Sequence, residues 1–165
     1  MSNKNLRRIL GIDPGLANTG FGIIDCAFGK MQMLCYGVIE TSSSLAHSHR
    51  LVQIYDELDS LIKKFVPDEA GMEALFFARN ASSAMLVAEA KGVANLCVAK
   101  NGLSLGLYKP NQIKLAVTGG AVADKETVEK AVKYLLHIKG DVKPDHASDA
   151  LAAAITHYHY TFGKN

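Results

Sequence analysis

The stretch at residues 7–25, RRILGIDPGLANTGFGIID, decides how the rest of the chain is read. Two apolar runs, residues 9–12 and 20–24, flank a turn made of Pro14, Gly15, Asn18 and Thr19, which is the pattern of a β-hairpin. A carboxylate, Asp13, stands inside this apolar setting. An ionised Asp within a sheet is costly unless something positive meets it. Either the hairpin tolerates a defect or it is one wall of a site.

Working outward, residues 30–41 (KMQMLCYGVIET) read as a third strand and make a β-meander. Residues 49–65 then place Leu51, Ile54, Tyr55, Leu58, Leu61, Ile62 and Phe65 at helical spacing, and Pro67 ends that helix. Residues 69–77 (EAGMEALFF) read as a short fourth strand leading into a loop. Residues 82–102 form an Ala-rich helix that is apolar on more than one side, hence central or covered by a partner. Residues 103–110 (LSLGLYKP) read as a fifth strand ended by Pro110. Helical patterns follow from about Lys125 to His137 and again after Pro144. The expected order is β-β-β-α-β-α-β-α-α, a mixed five-stranded α/β sheet flanked by helices.

The bulk numbers agree with an ordinary globular chain: 165 residues, 48% hydrophobic and 21% charged. That length suits one domain, residues 1–165, with no repeat or linker. A formal charge of +2 does not by itself argue for nucleic acid, so any DNA-binding face must come from local clustering. Cys26, Cys35 and Cys97 are odd in number and lack a CxxC pair, which suits buried thiols in a reducing cytoplasm. The first apolar run stops at Ile12, too short for a signal h-region, and no run approaches a membrane span.

Three acids lie in apolar surroundings: Asp13 in the first strand, Glu73 in the fourth (GMEALFF) and Asp149 at the start of the last helix (DHASDALAAAI). Singly, each has an ordinary explanation: a turn cap, a partner of Lys or Arg, and a first-turn acid favoured by the helix dipole. If the first and fourth strands are neighbours and the last helix covers their edge, all three meet in one pocket. Carboxylates that close repel unless a cation joins them, and oxygen-rich clusters suit Mg²⁺ or Mn²⁺. His146 and Asp145, three and four residues before Asp149, are both placed to be a fourth ligand. Asp145 also has the position of an N-cap, which would leave His146 as the better candidate.

GIDPGLANTGFGII, MEALFFARNASSA and DHASDALAAAITH, in this order and spacing, resemble the RuvC family of crossover-junction (Holliday-junction) endodeoxyribonucleases. The resemblance runs from about Arg8 to His157. It implies an RNase H-like fold, a homodimer, and paired symmetric nicking of four-way DNA junctions in recombination and repair. It also implies two Mg²⁺ per active site, with Mn²⁺ supporting activity as well, and the RuvA–RuvB branch-migration complex as a partner. Carried over by position, Asp13, Glu73 and Asp149 are metal-binding catalytic carboxylates. His146 occupies the fourth position, where the family commonly has Asp. Phe76 matches an aromatic at the junction centre, and Lys114 and Lys125 match basic residues near the active site. Arg79, Lys91, Lys109, Lys130 and Lys133 are looser candidates for phosphate contacts. The competing readings are an actin- or sugar-kinase-like ATPase, which shares the Gly-Ile-Asp strand but needs two lobes; a catalytically silent binder of branched DNA; and a related nuclease with an RNA-processing role.

Overall fold

A computed structural model of the chain describes residues 6–74 and 81–162. The elements are β1 (Arg7–Asp13), β2 (Asn18–Ala27), β3 (Lys30–Glu40), α1 (His47–Phe65), β4 (Glu69–Glu73), α2 (Ala81–Lys100), β5 (Ser104–Tyr108), α3 (Pro110–Thr118), α4 (Lys125–Leu135) and α5 (Asp145–Thr161). The strands form one sheet in the order β3-β2-β1-β4-β5. The meander β1–β2–β3 is antiparallel, whereas β4 and β5, reached through helices, run parallel to β1. The mixed sheet expected from the sequence is therefore present, with β1 and β4 as neighbours.

One helix was not expected. Pro110 does not simply end a strand; it opens α3, whose first-turn N–H would be unpaired in any case. The side chain of Gln112 accepts a hydrogen bond from the Lys109 N–H at 2.8 Å and closes that entry. The fourth strand ends at Glu73, Ala74 is already outside it, and residues 75–77 of the expected strand lie outside the described residues.

Period-two alternation sorts the sheet into two faces. Leu10 and Ile12 of β1, with Ala70 and Met72 of β4, pack under α1 and α2 around Ile54, Leu58, Ala94 and Val98. The opposite face carries Ile9, and with Ile113, Val128, Val132, Leu151 and Ile155 it forms a second core beneath α3, α4 and α5. Cys26 and Cys97 are buried, one in each core, and burial pushes their thiols up to about 12 and about 11.

The second face also holds a row of glycines. Gly22, Gly11, Gly71 and Gly106 are paired successively across β2, β1, β4 and β5, Gly22 with Gly11, Gly11 with Gly71, and Gly71 with Gly106. Helix α5 lies in this trench and so crosses the face of the sheet rather than covering its edge. A Cβ at Gly11 would overlap the Ala150 carbonyl, and one at Gly71 would meet the Ala153 carbonyl and His157. The Ala-rich run of α5 is thus explained by depth: small residues on both surfaces let a helix sit almost on the strands. At the far end of α5, buried His157 bridges Tyr108 (Nδ1 to Oη, 2.8 Å) and Glu69 (Nε2 to Oε2, 2.7 Å), and Arg7 binds the other Glu69 oxygen at 2.7 Å. Burial alone would raise the Glu69 carboxyl, but the hydrogen bonds from Arg7 and His157 outweigh it and hold it below its usual value.

Candidate active site

The alternation that buries Leu10 and Ile12 turns Asp13 to the α5 face, and that which buries Ala70 and Met72 turns Glu73 the same way. Ile12 pairs with Met72 in the parallel ladder, so the two acids stand one residue further on, at adjacent strand ends. The chain leaves Asp13 through a turn closed by Thr19, whose hydroxyl donates to the Gly15 carbonyl at 2.8 Å. Thr41 pins the next part of that turn through the Leu16 and Ala17 carbonyls. Threonines therefore do the capping that the Asp13 carboxylate was one candidate to do.

Helix α5 delivers the other half. Gly20 pairs with Asp13 across the hairpin, and a Cβ there would strike the His146 backbone. With no side chain in the way, the first turn of α5 comes down on β2, and His146 Nδ1 lies 2.8 Å from Asp13 Oδ2. Asp149 is one turn further along α5, beyond the first turn, where the helix dipole is a weaker explanation for it. The expected N-cap role of Asp145 is not observed. Pro144 holds that position without a side-chain cap, and Asp145 is an exposed residue paired with Lys125 at 3.2 Å and Lys143 at 3.6 Å. His146 faces Asp13, whereas Asp145 is paired with Lys125, a lysine that also reaches Asp149, and with Lys143.

Glu73 and Asp149 line one cleft of about 270 Å³ together with Pro110, Ile113, Lys114, Lys125, Val128 and Ala152. Burial pushes the Glu73 carboxyl above its usual value and the charges of Asp13 and Asp149 push it further, with Lys91 and Lys114 opposing. The Asp149 carboxyl is raised likewise, by burial and then by Asp13, against Lys125 and His146. Lys125 Nζ lies 3.7 Å from Asp149. Burial disfavours the Lys125 charge, but Asp149 and Asp145 outweigh that and raise its pKa. Among the described residues, no cation lies within ion-pair distance of the Glu73 carboxylate, and no three His, Cys, Asp or Glu side chains are close enough to form a chelating cluster. The cleft is made acidic by Glu73 and Asp149, with Lys114 and Lys125 at its rim and with Asp13 near enough to act on the charge of both acids.

Of the remaining expected contacts, Phe76 and Arg79 lie outside the described residues. Lys130 is engaged with Glu126, and Lys133 with Asp141 at 3.0 Å. Lys91 departs most from expectation. Its ammonium is half-buried and donates to the Glu73 carbonyl, and burial lowers its pKa more than Glu73 and Asp13 raise it. The signal for this was present in the sequence: Val87, Lys91, Ala94 and Val98 follow a 4-3-4 spacing, which puts a lysine in the inward row of α2.

Raised carboxyls have a consequence for stability. An acid whose folded pKa lies above its unfolded value costs no stability at low pH, and the cost develops as pH rises through that window. In a chelating buffer, Glu73→Gln is therefore expected to melt higher than the parent chain at pH 7, with the difference shrinking toward zero below the ordinary carboxylate range. Thermal melts at pH 3.5 and 7 test this; a lower melting temperature for the variant at pH 7 would contradict the assignment of Glu73 as a strained acid.

Comparison with known proteins settles the family. The model of the family "Crossover junction endodeoxyribonuclease RuvC" matches residues 9–157. The chain belongs to the RuvC family. It is 53% identical over 156 residues to the crossover junction endodeoxyribonuclease RuvC of Treponema denticola, covering 94% of this chain and 88% of that protein. The Treponema pallidum RuvC is 43% identical over 164 residues, covering 99% and 84%. Among solved structures, T. thermophilus RuvC in complex with Holliday junction substrate superposes with a TM-score of 0.89 at 31% identity, covering 94% of each chain. The fold is accordingly that of the RNase H-like resolvases, and the chain is a crossover junction endodeoxyribonuclease, a nuclease of the hydrolase class.

Proposed function

We propose that this chain resolves Holliday junctions by paired symmetric nicks, hydrolysing one phosphodiester in each of two like strands during DNA recombination and repair. The observation that carries the reading is the adjacency of Asp13 and Glu73 at neighbouring strand ends, with His146 brought onto Asp13 by α5 and Asp149 across the same cleft. A T. thermophilus relative with Holliday junction substrate bound supports the choice of DNA.

The donor set fits divalent cations. Glu73 and Asp149 line the cleft, His146 meets Asp13, and burial followed by the charge of Asp13 raises both cleft acids, the state that a cation relieves. Asp13, Glu73, Asp149 and His146 would hold Mg²⁺, two ions per site, and Mn²⁺ would serve as well. Bound there, the ions would supply Lewis acidity for phosphodiester hydrolysis. The protein's own part is positional. The β1 and β4 ends fix two carboxylates on a rigid sheet, α5 fixes the other two donors, and Lys114 and Lys125 hold the phosphate backbone against an otherwise acidic cleft. Phe76 stacks on or between unpaired bases at the junction centre, and Arg79 contacts phosphate.

Residues 1–165 act as one nuclease domain working in pairs. Helix α2 leaves Met85 66%, Leu86 42% and Leu96 55% exposed, an apolar surface suited to a second copy across a two-fold axis. Two such sites match the approximate symmetry of a four-way junction. The RuvA–RuvB complex is the proposed branch-migration partner and the cytoplasm the proposed location. No helix among the described residues is long and apolar enough to cross a membrane.

The deciding experiment offers a labelled four-way junction and a linear duplex of the same sequence to the full chain in Mg²⁺ and in Mn²⁺. Paired nicks in the junction alone are expected; junction binding without cleavage in either metal would make the chain a silent binder. Imidazole suits Mn²⁺ better than Mg²⁺, so the ratio of Mn²⁺- to Mg²⁺-supported rates is expected to fall in His146→Asp. An unchanged ratio would remove His146 from the ligand set.

A further inference from the structure

Lysines that contact DNA phosphates generally stand in solvent, as Lys125 does here. Lys91 does not. It belongs to the row of α2 that also carries Ala94 and Val98, both buried against the sheet, and its ammonium donates to the backbone carbonyl of Glu73. That carbonyl belongs to the last residue of β4, just where the chain leaves the sheet. On the other strand edge, the next residue is still tied, since the Ala74 N–H donates to the Tyr108 carbonyl at 2.7 Å. The Glu73 peptide is thus held from two sides, by β5 and by a lysine from α2.

We infer that Lys91 is a positioning residue of the nuclease site, a built-in clamp that fixes the end of β4 through the Glu73 carbonyl and so aims the Glu73 carboxylate into the cleft. The inference rests on the proposed role of Glu73 in cleavage and adds a residue that acts on it from another helix. An ammonium suits the task because it meets a carbonyl dipole at close range while lying in the negative field of Glu73 and Asp13, which offsets part of its desolvation. A neutral donor in the same place would lack that second attraction. Lys91 consequently spends its donor on the protein and has no direct role on the DNA.

The two roles separate experimentally. Full-length Lys91→Met, Lys91→Arg and Asp13→Asn are compared with the parent chain by junction binding in chelator across a salt series, by single-turnover cleavage at saturating protein and Mg²⁺, and by thermal melting. Lys91→Met is expected to bind with parental affinity and salt dependence while its cleavage rate falls by about tenfold to a hundredfold, the scale of a slight misplacement of a reacting group. Lys91→Arg, which keeps charge and donors, is expected to recover most of the rate. Weaker binding with a salt slope shallower by about one, at an unchanged saturating rate, would overturn the inference in favour of a phosphate contact. So would Lys91→Arg performing no better than Lys91→Met while both melt like the parent. Should Lys91→Met melt below the assay temperature, Lys91→Gln, uncharged and shorter, takes its place and the same outcomes decide. Asp13→Asn separates the two levels of the argument. If it cleaves normally, the carboxylate reading itself fails; if it is silent while Lys91→Met cleaves at the parental rate, only the clamp is overturned.

Discussion

Asp13→Asn is expected to leave junction binding intact or tighter while cleavage falls by roughly 10²–10³-fold or more, the scale of losing one preorganised charged group at a reacting centre. The direction of each half has its own cause. Asparagine keeps the shape of the side chain and can still meet His146, whose Nδ1 lies 2.8 Å from Oδ2, so α5 should stay where it is. The variant removes a negative charge from a cleft that must receive phosphate, and the repulsion it removes is unproductive in the absence of metal. What it cannot do is supply a negative charge to a cation, since an amide oxygen is neutral. Gel-shift titration in chelator and cleavage in Mg²⁺ measure the two halves separately. A variant that cleaves within a factor of three of the parent would remove Asp13 from the chemistry. One that neither binds nor cleaves would point instead to a structural role for the His146–Asp13 contact.

How far the sequence discloses this site depends on the element concerned. The β1–β2 hairpin is legible because alternation and a Pro-Gly turn agree, and because an acid in an apolar strand is conspicuous. Glu73 is legible for the same reason. Helix α3 is not, since Pro110 reads equally as the end of a strand or as the first residue of a helix, and a nine-residue helix with only Ile113 and Val117 fully inward leaves little periodicity to detect. Asp145 illustrates a different limit. Following a proline and preceding a helix, it has every local mark of a cap, but what it does is decided by Lys125 from α4 and by Lys143, and a long-range ion pair leaves no trace in local spacing. Lys91 lies between these cases. Its place in an inward row can be read, but its target, a carbonyl on another element, cannot.

The glycine row under α5 was likewise invisible as a row, because Gly22, Gly11, Gly71 and Gly106 are far apart in sequence and only pairing across the sheet aligns them. It yields the largest expected effect on stability. Gly11→Ala puts a methyl group where the Ala150 carbonyl of α5 already stands, and backbone cannot move aside as the tip of a side chain can. Helix α5 must lift or tilt, uncovering part of a core that includes Leu151 and Ile155, and the cost is expected to be about 3 kcal/mol, at the upper end of overpacking. For a chain of this length that lowers the melting temperature by roughly 6–12 °C. Gly22→Ala provides the graded comparison, for its nearest obstacle is the Leu151 side chain, which has other rotamers, and the loss there should be smaller. The same displacement has a functional side. His146 reaches Asp13 only because the helix sits this low, so Gly11→Ala is expected to lose cleavage at temperatures where it is still folded, and to lose it without losing the lysines that bind phosphate. Calorimetry together with cleavage well below the transition tests both parts. A variant that melts within about 2 °C of the parent would mean that α5 lies higher on the sheet than described. One that is destabilised yet cleaves normally while folded would mean that the depth of α5 serves stability alone, and that the four candidate ligands are not held in place by how closely this helix packs.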